Sequence, residues 1–286
     1  GLAILGNGSE GVEINNSSSN NRVGGTTPQA RNLLSGNRVG VDIRNDASSL
    51  GTTGNVIQGN FIGTDRNGTA ALGNRLVGVL IAGQGGGPVN NNLIGGTAAG
   101  TQNIISGNAQ GVGIGGVNAT GNLVQGNWIG TDVTGTAALG NAIQGVVIGL
   151  SASNNTVGGS ASGTGNIIAF NRGAGVGIGD NGTTGNAIQG NSIFSTSGLG
   201  IDLANNAVKP NDTGDGDGGP NNLQNFPIIT GITASGGMTT IQGKLNSTAN
   251  TTYRVELFDN VAGDPSGNGE GQFFLGAVPG GVTTDA

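Results

Sequence analysis

Gly54-Asn55-Val56-Ile57-Gln58-Gly59-Asn60-Phe61-Ile62-Gly63-Thr64-Asp65 returns 67 residues later as Gly121-Asn122-Leu123-Val124-Gln125-Gly126-Asn127-Trp128-Ile129-Gly130-Thr131-Asp132. Both copies run on into Thr-Ala-Ala-Leu-Gly-Asn, at 69–74 and 136–141. Gly11-Val12-Glu13-Ile14, Gly78-Val79-Leu80-Ile81 and Gly145-Val146-Val147-Ile148 keep the same step. Self-similarity at a fixed period marks a solenoid or array, whose units bury their apolar faces only by stacking on one another.

The long unit divides again. Gly-Val-x-Ile stands at 11, 40, 78, 111, 145 and 175, with a looser Gly198-Leu199-Gly200-Ile201, which predicts about seven coils of roughly 20 to 38 residues. Between these elements runs Asn-x-φ-x-Gly-Asn. Its third residue is Leu34, Ile57, Ile105, Val124, Ile168 or Ile188, always a branched aliphatic. Its fourth is Ser35, Gln58, Ser106, Gln125, Ala169 or Gln189, mostly polar. That alternation is the period of a short strand with one face inside, and it places Ile57 and Ile105 inward and Gln58 and Ser106 outward. Helix is the poorer reading, because Gly recurs every few residues at about 1 kcal/mol each relative to Ala. Gly-Asn turns the chain, since both residues tolerate left-handed angles. About three strands per coil then give a parallel β-helix with coils about 4.8 Å apart, Ile stacked on Ile inside and Asn on Asn at the corners. Right-handed winding is the expectation for parallel crossovers.

The Asn-x-Ile-x-Gly-Asn and Gly-Val-x-Ile repeats resemble those of right-handed parallel β-helix repeat proteins, a pectate-lyase-like fold of bacterial surface and secreted polypeptides. The resemblance covers residues 1–205. It implies an all-β solenoid and leaves function open, because that fold hosts lyases, hydrolases, adhesins and passive stalks.

Composition agrees with a solenoid and narrows the partners. The 286 residues include 62 Gly, 9% charged and 3% aromatic residues, no Cys and no His, with a net charge of −6. Aliphatic positions held in register argue against disorder. An acidic chain without a basic run argues against nucleic acid, and no stretch approaches the roughly 18 apolar residues of a membrane span. Absence of Cys fits a bacterial secreted protein. Residues 206–226 form an acidic Gly/Asn-rich linker or loop, including Lys209 to Pro220 without a hydrophobic residue. Residues 227–286 carry strand-like runs at 228–232, 239–245, 252–258 and 273–278, too few for a complete antiparallel β-sandwich.

Few groups carry chemistry. The polygalacturonase-like and lyase patterns that the resemblance brings to mind need an Asp-Asp pair, a His or a basic proton abstractor. The chain has neither an Asp-Asp pair nor a His, and Lys209 and Lys244 lie outside the coils. Glu13 and Asp42 occupy one position of consecutive coils, so stacking sets them about 5 Å apart, the spacing of a retaining glycosidase pair. Because Leu80, Gly113 and Val147 follow in that position, a solvated outer face with Arg44 alongside is the expected role. Asp65 and Asp132 open turns. Phe61 and Trp128, two coils or about 10 Å apart and outward-facing, are candidate carbohydrate-stacking rings. Asp212, Asp215 and Asp217 offer hard oxygen ligands suited to Ca2+ without the closing Glu of a complete calcium loop.

The leading expectation is a non-catalytic extracellular module, structural or adhesive, of a bacterial cell surface. The alternatives are a polysaccharide-active lyase or glycoside hydrolase and a carbohydrate-binding module. Open coil ends, near Ile4 and Ala286, template further pairing. They suggest a piece of a larger surface protein, or ends completed by neighbouring copies in a filament.

Overall fold

The computed structural model describes residues 5–47, 49–264 and 267–285; Ile4 and Ala286 lie outside them. Seven strands, Glu10–Ile14, Val39–Arg44, Val77–Ala82, Gln110–Gly115, Val146–Gly149, Val176–Ile178 and Ile201–Leu203, form a first sheet in that order. Two six-stranded sheets complete the coils, the second running from Arg22–Gly24 to Ala187–Gln189 and the third from Leu33–Leu34 to Ser192–Phe194. All neighbours within these sheets are parallel, and the chain visits first, second and third sheet in turn. This is a parallel β-helix of six coils plus the first strand of a seventh. Each 67-residue repeat is two coils.

Stacking makes the lumen. Val12, Val41, Val79, Val112, Val146 and Val176 form one inner row, and Ile14, Ile43, Ile81, Ile114, Ile148 and Ile178 form the next. The second sheet contributes Val23, Ile57, Ile94, Val124, Val157 and Ile188. The third contributes Leu34, Ile62, Ile105, Ile129, Ile168 and Ile193. Ile57 and Ile105 are fully buried, as the alternation requires.

Three asparagine ladders climb the corners. Asn7, Asn37, Asn74, Asn108, Asn141 and Asn171 make one. Asn21, Asn55, Asn92, Asn122, Asn155, Asn186 and Asn221 make the second. Asn32, Asn60, Asn103, Asn127, Asn166 and Asn191 make the third. One rung shows the pattern: the backbone N–H and Nδ2 of Asn60 both donate to Asn103 Oδ1, at 3.0 and 3.1 Å, while Asn103 Nδ2 donates to Ile57 O at 2.8 Å. Each amide thus satisfies backbone groups that the turn takes out of the sheets. The Gly before Asn60 is required, since Gly59 has φ +69° and a Cβ there would overlap the Gly25 carbonyl.

The outward residues differ from expectation in depth. Ser106 is fully buried, its Oγ donating to Thr131 O at 2.7 Å and accepting from Gly130 N at 3.1 Å, and Gln58 is 8% exposed. Neighbouring coils and insertions cover them, so facing away from the lumen does not mean facing water.

Beyond the rod lie three antiparallel two-stranded sheets, the elements of a small and incomplete sandwich. Ile228–Ser235 pairs with Met238–Lys244, Thr252–Tyr253 with Val282–Thr283, and Glu256–Asp259 with Phe273–Ala277. The run at 252–258 is two strands rather than one because its halves pair with different partners. No helix among the described residues is long and apolar enough to cross a membrane.

Candidate functional site

The carboxylates on the outer face of the first sheet come together where the sequence stacks them. Glu13 is in register with Asp42, and Asp42 with Leu80. Arg44 reaches three acids: Glu13 at 2.6 Å, Asp46 at 3.1 Å and Asp42 at 3.4 Å. Arg38 pairs with Glu10 at 2.7 Å, and Asn15 Nδ2 donates to both Glu13 and Asp46 at 2.9 Å. The Ser9 hydroxyl and Arg38 hold the Glu10 carboxyl below its ordinary value.

Arg44 is alongside as expected, but Asp42 is not solvated. Its relative exposure is 0%, and neither carboxylate oxygen accepts a hydrogen bond. Burial pushes its pKa up to about 6; Arg44 opposes the rise, and Glu10 and Glu13 add to it. An acid raised beside a second carboxylate is the electrostatic pattern of a glycosidase pair. Access denies that role, because a buried Asp42 cannot touch a sugar and Glu13 Oε1 is held by Arg44 and Asn15.

A stability prediction follows from the sign of the shift. Because the folded pKa lies above the ordinary value of 3.8, protonating Asp42 favours the fold. That contribution is fully present below about pH 3.8 and is lost as pH rises through about 6. Asp42→Asn is therefore expected to stabilise the protein by about 2–3 kcal/mol at pH 7.5 and to leave it unchanged near pH 4. Urea unfolding of both proteins at the two pH values reads the difference, and an equal difference at both would rule out the titration.

Asp65 and Asp132 close the insertions as turn residues. Asp65 Oδ1 accepts from Thr69 N at 2.8 Å and Ala70 N at 3.1 Å, and Asp132 Oδ1 accepts from Thr134 N at 3.0 Å and Ala137 N at 3.2 Å. Burial alone would raise both acids, but the backbone donors at Asp65, and at Asp132 the Thr134 hydroxyl at 2.6 Å together with the backbone donors, outweigh it and lower them.

The same insertions decide the fate of the aromatic pair. Phe61 and Trp128 flank Ile104 in one outward row of the third sheet, two coils apart. Phe61, however, is 3% exposed: the Arg31 guanidinium lies 3.9 Å over its ring and Gly68 packs on its edge. Large apolar groups near an insertion are more stable covered than wet. Trp128 keeps partial exposure beside Gly135. A two-ring sugar platform is therefore not present on this face.

Asp212, Asp215 and Asp217 do converge, each offering an oxygen within 4.8 Å of the others. Asp215 is committed to the loop, its Oδ1 accepting from Asn225 N at 2.8 Å and its Oδ2 from Ser247 Oγ at 2.7 Å. Asp212 Oδ2 accepts from Gly216 N at 3.0 Å, while its Oδ1 is enclosed without a hydrogen-bond partner. Asp217 is exposed. These are the residues that could hold a hard cation.

The fold and these sites define the class: a parallel β-solenoid whose outer-face acids are tied into its own scaffold. Comparison with known protein families and with curated proteins finds no match to the chain.

Proposed function

We propose that the chain is a non-catalytic structural or adhesive module of an extracellular bacterial polypeptide, a rigid spacer whose repeats set length. The single observation that carries this reading is the three unbroken asparagine ladders. They commit the corner side chains to satisfying the backbone and one another. Seven stacked strands at the parallel spacing give a rod roughly 30 Å long. The test is activity on a panel of neutral and acidic polysaccharides. Release of reducing or unsaturated ends that disappears in Glu13→Gln would overturn the reading in favour of an enzyme; no product with the intact rod, together with surface labelling of intact cells, supports it.

The enclosed Asp212 Oδ1 favours a local addition, Ca2+ bound by Asp212, Asp215 and Asp217 at the joint between rod and C-terminal segment. A ligand bound only by the native state stabilises it. Excess calcium is expected to raise the melting temperature by several degrees relative to chelator, and Asp212→Asn to remove that difference. Superimposable melting curves would leave the loop as a plain connector.

A further inference from the structure

The lumen of the rod does not end in packed side chains. Its inner rows finish at Ile188, Ile193, Ile201 and Leu203, each in register with the inner residue of the coil below. Over them lies a cavity of about 820 Å3, floored by these four residues and walled on the C-terminal side by Phe226 and Phe258. Protein interiors seldom leave a void larger than a water molecule, whereas pockets for small molecules run to about 300–1,000 Å3. Ile201 and Phe226 are half-exposed, so the cavity opens to solvent beside them.

The charges around it are already matched. Of the charged side chains that line it among the described residues, Lys209 Nζ donates to Asn206 Oδ1. Glu256 accepts from Gly190 N and from Arg254 Nε, both at 2.8 Å. Glu270 accepts from Ser195 N and Thr196 N at 2.6 and 2.9 Å. One donor is not matched. In the second ladder Asn221, in the turn Pro220–Leu223, stands in for a further rung: its Oδ1 accepts from Asn186 N at 3.0 Å and its Nδ2 donates to Asn186 O at 2.6 Å. The third ladder has no such rung. Asn191 Oδ1 accepts from Asn166 N at 3.0 Å and Asn191 Nδ2 donates to Val157 O at 2.9 Å, but no described residue accepts from the Asn191 backbone N–H. In a ladder that N–H points at the following coil, and here the cavity takes the coil's place. Asn191 is 3% exposed and borders the cavity, in a position where a donor is ordinarily met.

We infer that the cavity is a binding site for an uncharged apolar molecule carrying a hydrogen-bond acceptor, of the class of long-chain alcohols and esters. Its chain lies on the aliphatic floor and its oxygen accepts from the Asn191 N–H. A carboxylate or an ammonium would give up its water in a site that holds no free counter-charge. The site lies at the end of the rod and is independent of what the coils do along their length.

The test titrates the full chain with Nile red, an uncharged dye with a carbonyl group, and displaces it with decanol, decanoate and decylammonium. Saturable, blue-shifted fluorescence is expected, with decanol acting at concentrations about tenfold or more below either ion. Decanol is also expected to slow hydrogen exchange of the Asn191 amide. Leu199 lines the cavity, and Leu199→Trp, which fills it, is expected to weaken dye binding about tenfold with an unchanged circular dichroism spectrum. Ile201→Trp, at the half-exposed edge, serves the same purpose should the first variant fail to fold. Absence of saturable binding, or parental binding in a folded Trp variant, would overturn the site. Equal displacement by either ion would overturn the uncharged class, and unaltered exchange at Asn191 with decanol bound would overturn that N–H as the anchor.

Discussion

Ile105→Asp is expected to yield no folded protein. Ile105 is fully buried in the third inner row between Ile62 and Ile129. A carboxylate there has no donor or cation within the lumen rows, so it must stay neutral or drag water inward. The cost is on the order of 5 kcal/mol or more, comparable with the roughly 5–15 kcal/mol that holds a domain together. Ile105→Val is the matched control, expected to lose about 1 kcal/mol and keep its circular dichroism. Soluble yield and urea unfolding distinguish the two, and a folded Asp variant with the parental midpoint would refute the inner-row assignment.

Asn103→Ala is expected to cost about 2–4 kcal/mol without changing apolar burial. Its loss removes the acceptor of the Asn60 backbone N–H and the side-chain donor to the Ile57 carbonyl, both in a corner closed to solvent, while Asn60 Nδ2 keeps its bonds to Val23 O and Gln58 O. Each buried group left unmet costs about 1–3 kcal/mol. Asn7→Ala, at the exposed start of another ladder, should cost less than about 1 kcal/mol. If chemical denaturation gave equal losses for the two, the ladders would be ornaments rather than supports.

The inner rows and the stacking of Asn on Asn were legible because both are strictly local patterns repeated in register. Three positions of the second ladder were harder to see. Asn21, Asn92 and Asn155 do not open an Asn-x-φ-x-Gly-Asn hexamer; they open Asn-x-φ-Gly-Gly, a second signal present in the sequence at 21–25, 92–96 and 155–159. Depth was not legible at all. Alternation says which way Asp42, Ser106 and Phe61 point, but their burial comes from Arg44, from neighbouring coils and from insertions folded back over the sheet. The hold of Glu256 and Glu270 on the last coil joins residues 66 and 75 positions apart, with no repeat to announce it.

All three ladders run the same way, each Oδ1 taking protons from the coil before it. Side-chain carbonyls in the corners therefore point toward the N-terminal end of the rod, and the donating N–H groups toward the C-terminal end. Parallel strands contribute little net dipole, so these aligned amides give the solenoid an electrical direction of its own. Its positive pole lies at the last coil, where Glu256 and Glu270 sit. Acids at that pole complement the direction of the column of amides beneath them as well as the N–H groups they touch, and Arg254 balances the charge of Glu256 at 2.8 Å.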